Sequence, residues 1–84
     1  MYKLAWKTSA EKELRRLPRE VVARLLNVVD GLRANPFPPN SRKLMGAEKT
    51  YRIRVGDYRL VYTVDGGHLV IEVVAVGHRK DVYR

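Results

Sequence analysis

The sequence predicts an α+β domain in the order β-α-α-β-β-β, with a helical hairpin packed on one face of a small, mostly antiparallel sheet. Three observations carry that prediction. Residues 2–7 alternate, placing Tyr2, Leu4 and Trp6 on one side and Lys3, Ala5 and Lys7 on the other. Val21, Val22, Leu25, Leu26, Val29 and Leu32 recur at three-and-four spacing, the stripe of an amphipathic helix. Two further alternating stretches, Tyr51 to Val55 and Tyr58 to Val64, flank Gly56-Asp57, a tight-turn pair.

Each element follows in order. Residues 2–7 make a half-buried strand, which assigns Trp6 to the core. Thr8-Ser9-Ala10-Glu11 reads as a capping box, with Thr8 as N-cap and Glu11 reaching back to it. The first helix runs to about Arg16, with Ala10, Leu14 and Leu17 on one face. Pro18 suits the first turn of the second helix, where its missing N–H costs nothing. Asn35-Pro36 ends that helix. Residues 35–46, NPFPPNSRKLMG, read as a loop stiffened by three prolines and closed by Gly46. Three strands follow. Tyr51, Ile53 and Val55 oppose Arg52 and Arg54; Tyr58, Leu60, Tyr62 and Val64 oppose Arg59, Val61 and Thr63. After an Asp65-Gly66-Gly67 turn, which makes His68 a plain loop residue, the last strand covers Leu69 to Val76. Its alternation sends Glu72 outward and Ile71, Val73 and Ala75 inward. Continued without a break, it carries Arg79 to the core side, so either Gly77 bends the chain or the parity differs.

The 84 residues contain no repeat, linker or low-complexity tract, and residues 1–84 read as one domain. A chain this short buries only about 60% of its unfolded surface, yet its 45% hydrophobic content is enough for a compact core. The absence of cysteine excludes a disulfide framework and a thiolate metal site. It also fits a reducing compartment, and the cytoplasm is the expected location. No run reaches the ~18 apolar residues of a membrane span, and no membrane partner is expected.

Charge is the first functional signal. Seventeen Lys and Arg against nine Asp and Glu give +8 and an isoelectric point near 10.2. Such a field concentrates polyanions. Nucleic acid leads among partner classes, ahead of an acidic protein and an anionic membrane; a merely solvated surface is the bland alternative. Alternation puts Arg52, Arg54 and Arg59 on the sheet face away from the helices. Either they gather around a phosphate, which a guanidinium matches as a bidentate fork, or they splay into water. The two histidines, His68 and His78, do not sit at metal-ligand spacing, and there is no glycine-rich phosphate loop. No metal and no cofactor are expected.

GDYRLVY at 56–62, the valine-rich strand after it and VGHRKDVY at 76–83 resemble the core signature of RelE-type toxins of the RelE/ParE superfamily. Lys43-Leu44-Met45-Gly46 is similar to that family's Lys-Leu-x-Gly loop, and the order of elements matches along essentially the whole chain. The resemblance implies a RelE-like fold and a bacterial or archaeal endoribonuclease, an mRNA interferase that cleaves messenger in the ribosomal A site and is silenced by a cognate antitoxin. By position, it implies that Arg59 stabilises the transition state and that Arg79 serves the leaving group. Tyr83 corresponds to the residue that acts as base or orients the nucleotide. Arg52, Arg54, Lys43 and His78 are the expected RNA- or phosphate-binding residues, His78 being also a candidate for proton transfer.

The chain departs from the family pattern at two points. Arg52 and Arg54 stand where the best-known members have lysine, and an arginine that keeps its proton cannot be the base. The helix that follows the tyrosine in many relatives is not part of this sequence. Two other readings remain: a ParE-like member of the superfamily, directed at DNA gyrase rather than RNA, and a non-catalytic RNA- or ribosome-binding module.

Overall fold

The N-terminal alternation produces β1 (Lys3–Trp6), and a computed structural model, which describes residues 1–78, shows where it goes. It lies parallel to the last strand, β5 (Val70–His78), with Leu4 opposite Ile71 and Trp6 opposite Val73. Between them in the chain come α1 (Thr8–Arg15), α2 (Arg19–Leu32), β2 (Ser41–Lys43), β3 (Thr50–Val55) and β4 (Tyr58–Asp65). The five strands form one sheet in the order β1-β5-β4-β3-β2, antiparallel except at β1–β5.

Both helices pack on the face that carries Ile53, Leu60, Tyr62, Val64, Ile71, Val73 and Val76. Ala10, Val21, Leu25, Val29 and Leu32 meet these residues in a single core, with Trp6, Leu14 and Val55 at its margin. Leu60 is fully enclosed at its centre. Leu60→Ala is therefore expected to cost about 2–5 kcal/mol, a large part of the ~5–15 kcal/mol that holds a typical domain. Urea or thermal melts check this; a melting temperature equal to the parent's would show that the face is misassigned.

Local chemistry departs from expectation in four places. Helix α1 starts one residue early, with Lys7 in the capping position and no side-chain cap from Thr8. The Lys7 N–H still donates to Val73 of β5 (2.9 Å), while its carbonyl already accepts from Glu11 (3.0 Å). Strand thus passes directly into helix and leaves no residue for a capping box. Pro18 is the N-cap of α2 rather than part of its first turn, and its carbonyl accepts from both Val21 and Val22 at 3.0 Å.

The third departure is an additional strand. Ser41–Lys43, read as loop, pairs with β3, Arg42 facing Arg52 and Lys43 facing Tyr51. The proline segment before it is anchored from below. The buried Tyr62 hydroxyl donates to the Pro36 carbonyl (2.7 Å), and Ser41 Oγ donates to Pro38 (2.7 Å). Burial raises the pKa of Tyr62, against the opposing pull of a hydrogen bond with Ser41, so the phenol keeps its proton and remains a donor. Phe37, Tyr51 and Tyr62 pack in series, with ring centroids 5.0 and 5.9 Å apart.

The fourth is a β-bulge. Val61 lies opposite Ala75 but Tyr62 lies opposite Val73, so Val74 has no cross-strand counterpart. The extra residue reverses the parity of β5. Ala75, expected inside, shares the outer face with Val61; Val76 turns inward opposite Leu60, and Gly77 faces outward opposite Arg59. The parity read for the last strand therefore fails at Val74, and the expectation for Arg79 itself lies outside the described residues. Beyond Trp6, β5 has no β1 partner, and the Glu13 carboxylate of α1 accepts the Val76 N–H instead (3.1 Å).

Candidate nucleic-acid interface

Cross-strand register organises the outer face of the sheet. One rung reads Arg42, Arg52, Val61 and Ala75 across β2, β3, β4 and β5; the next reads Arg54, Arg59 and Gly77 across β3, β4 and β5. Two rungs separated by a single intervening residue thus each hold a pair of arginines directly opposite one another. Like charges at such positions destabilise a sheet, and a bound polyanion reverses the sign of that term. Gly77 adds no side chain to the Arg59 rung.

The tight turn between β3 and β4 closes these pairs. Val55 pairs with Tyr58 across Gly56-Asp57, and Gly56 adopts φ +62°, the left-handed conformation this two-residue hairpin needs at its first turn position. A side chain at Gly56 would also meet the Arg24 guanidinium, 2.7 Å from the position of a Cβ. The arginines differ in setting: Arg54 and Arg42 are exposed, Arg52 and Arg59 are half-buried, and Arg59 Nε is enclosed by protein.

Asn40, Arg42, Arg52 and Arg54 line an open cleft of about 310 Å³. Its walls hold guanidinium donors, one carboxamide and no carboxylate. Among the described residues, no group of three or more His, Cys, Asp or Glu side chains could hold a metal ion. The cleft is suited to phosphate oxygens, with the amide offering both a donor and an acceptor to a neighbouring group.

The expected site residues are only partly gathered. Arg52 and Arg54 share the cleft, and Arg59 flanks Arg54 across the hairpin. Lys43 lies opposite Tyr51, on the other parity of β2, and lines a separate cleft formed by residues 43–48. His78 lies opposite Tyr58, with the rings 5.6 Å apart edge-on, and by register it falls on the opposite face from Arg59. His68 is an exposed turn residue whose ring nitrogen meets the Asp65 carboxylate at 2.8 Å. Hydrogen bonds from His68, side chain first and then backbone, hold the Asp65 carboxyl below the usual range. Arg79 and Tyr83 lie outside the described residues. Arg42 and Asn40 were not foreseen; applying alternation to Ser41-Arg42-Lys43 would have placed Arg42 beside Arg52.

The family model for the ParE toxin of type II toxin–antitoxin systems (parDE) matches residues 4–83. The chain belongs to the RelE/ParE toxin superfamily. Relatives of this toxin include Toxin RelG of Mycobacterium tuberculosis, 33% identical over 99% of this chain and 97% of the relative. Toxin RelE of the same organism is 33% identical over 99% of this chain and 87% of its own length. Among solved structures, the toxin resembles RelE of the Pyrococcus horikoshii RelE–RelB complex (TM-score 0.84, 30% identity, 96% of this chain and 98% of that chain). It also resembles the isolated Escherichia coli RelE toxin (TM-score 0.82, 32% identity, 93% of this chain and 84% of that chain). The superfamily's toxin of two helices on a mixed sheet is the fold described above, and the chain is the toxin component of a RelBE-type toxin–antitoxin system.

Proposed function

We propose that this toxin is a metal-independent endoribonuclease that cleaves mRNA in the ribosomal A site, and that a cognate antitoxin holds it inactive. The observation that carries the reading is the pair of adjacent like-charged rungs, Arg42–Arg52 and Arg54–Arg59, on a face with no carboxylate in its cleft. Such an arrangement is stabilised by a phosphodiester strand. The RelE-named relatives, and neighbours solved as RelE–RelB complexes, support the choice of RNA and of an antitoxin partner.

The chemistry follows from the substrate. The RNA supplies its own nucleophile: the 2′-hydroxyl attacks the adjacent phosphorus in line and loses its proton to a base. The P–O5′ bond breaks, and the departing oxygen takes up a proton. The products are a 2′,3′-cyclic phosphate and a 5′-hydroxyl. Charge grows on the non-bridging oxygens, where preorganised cations contribute most. Arg59, whose Nε is enclosed by protein, takes that role, with Arg52 and Arg54 holding the strand. Arg79 serves the leaving oxygen and Tyr83 is the base. A tyrosine titrates near 10, and a guanidinium brought beside it would favour phenolate. His78, on the other side of its strand from Arg59, is the weaker candidate for the base.

Cleavage of a message on translating ribosomes, with chelator present and the 5′ ends mapped, tests the proposal. The ParE description of the family model favours a second reading, attack on DNA gyrase. Gyrase-dependent DNA breaks without RNA cleavage would establish that reading instead. Ribosome binding with neither activity would leave a non-catalytic module. In cells, expression should arrest growth and co-expression of the antitoxin should relieve the arrest.

Salt gives an independent check. Affinity for single-stranded RNA should fall with log salt at a slope of roughly −0.7 per phosphate neutralised. Arg52→Ala and Arg54→Ala should each reduce that slope by about one such step. An affinity that does not change with salt would exclude binding through phosphates.

A further inference from the structure

A second opening adjoins the arginine cleft. Val28, Gly31 and Leu32 of α2, Pro38 and Asn40 of the proline segment, and Ile53 of β3 line a mainly apolar groove of about 320 Å³. That volume is at the lower end of small-molecule sites. Asn40 lines both this groove and the arginine cleft, so the two openings flank that residue.

Gly31 supplies the second observation. It lies in the last turn of α2, and Leu32 and Arg33 (φ −62°, ψ −33°) continue right-handed backbone past it, so it does not terminate the helix. Its φ is not in the left-handed region, and a Cβ added there would meet nothing within 4 Å. Neither backbone conformation nor packing requires glycine, and glycine weakens a helix relative to alanine. What the missing side chain does is keep the groove open.

We propose that this groove seats one base of the RNA strand whose phosphates lie on Arg42, Arg52 and Arg54, with Asn40 reading the edge of that base. The inference rests on the RNA-cleaving reading above. Single-stranded RNA is recognised by splaying bases out of the strand into apolar or aromatic seats and hydrogen-bonding their edges. The arginines lie on the outer face of the sheet and the groove on its helix side, so a strand held by the guanidiniums would turn one base around the sheet edge at Asn40 to enter the groove. An asparagine amide matches adenine bidentately, through N6 and N7, so adenine is the favoured occupant.

The probe is a short single-stranded RNA, methylated at every 2′-hydroxyl to prevent cleavage, in which each base is removed in turn. For the parent protein, one abasic position should lower affinity by roughly 10- to 150-fold, the worth of burying one large apolar group. Gly31→Leu, which favours helix and fills the groove, should bind the intact strand more weakly by a similar factor and show no sensitive position. Gly31→Ala should give a smaller loss of the same kind. Asn40→Ala should abolish the preference for adenine at that position. Melting curves confirm that each variant is folded.

A parent with no sensitive position, or a Gly31→Leu variant with the parent's abasic profile, overturns the base seat while leaving the RNA-cleaving reading intact. Failure of the parent to bind or cut RNA overturns both. If Gly31→Leu keeps the RNA profile but loses affinity for the antitoxin, the groove belongs to that protein and the proposal fails.

Discussion

Replacing Tyr83 by phenylalanine is expected to lower single-turnover cleavage on programmed ribosomes by about 10²–10⁴, the scale of a lost general base. The ring remains, so stacking on a nucleotide survives; the ionisable hydroxyl does not. The pH–rate profile should also lose its alkaline-rising limb, because that limb reports deprotonation of the base. Chelator should change neither parent nor variant. The control is Tyr83→Ala. If phenylalanine works nearly as well as tyrosine and only alanine is harmful, Tyr83 stacks and does not titrate, and attention passes to His78. Such an outcome would remove the base assignment alone and leave the arginine face in place.

Arg59→Ala is expected to slow cleavage by about 10²–10³, the cost of removing one preorganised donor from developing charge. Affinity should change far less, because Arg42, Arg52 and Arg54 still hold the strand. The effect should therefore appear in the rate of the bound complex rather than in its formation. Arg59 lies opposite Arg54 in the hairpin, and melting curves establish that the variant is folded before its rate is compared. A folded Arg59→Ala protein that cuts at the parent's rate would sink the site.

Where side chains alternate on a two-residue period, sequence and structure agree: Ile53, Leu60 and Tyr62 are buried, and Arg52, Arg54 and Arg59 share the opposite face. Helix α2 was equally legible, because Leu25, Val29 and Leu32 repeat at helical spacing and are all enclosed. What escaped detection lacked a periodic signal. Three residues, Ser41–Lys43, are too few to show alternation and follow a run of prolines, so their pairing with β3 depends on tertiary contacts. That hid Arg42 and Asn40, half the lining of the cleft. The bulge at Val74 was invisible because Val73, Val74 and Ala75 are all apolar and any of them could face the core. Glu13, whose carboxylate accepts the Val76 N–H, carries no pattern in the sequence that would point to that role.

The strand order has a consequence for how the toxin is made. The last strand lies between the first strand and β4, so the β1–β5 pairs cannot form until residues 70–73 are available, nor the Arg59–Gly77 rung until Gly77 is. Before that, the chain can form its helices and its β3–β4 hairpin but not the closed five-stranded sheet. Pairing over such a separation is also slow compared with local contacts. The arginines of β2, β3 and β4 can therefore pair before β5 locks the hairpin to β1.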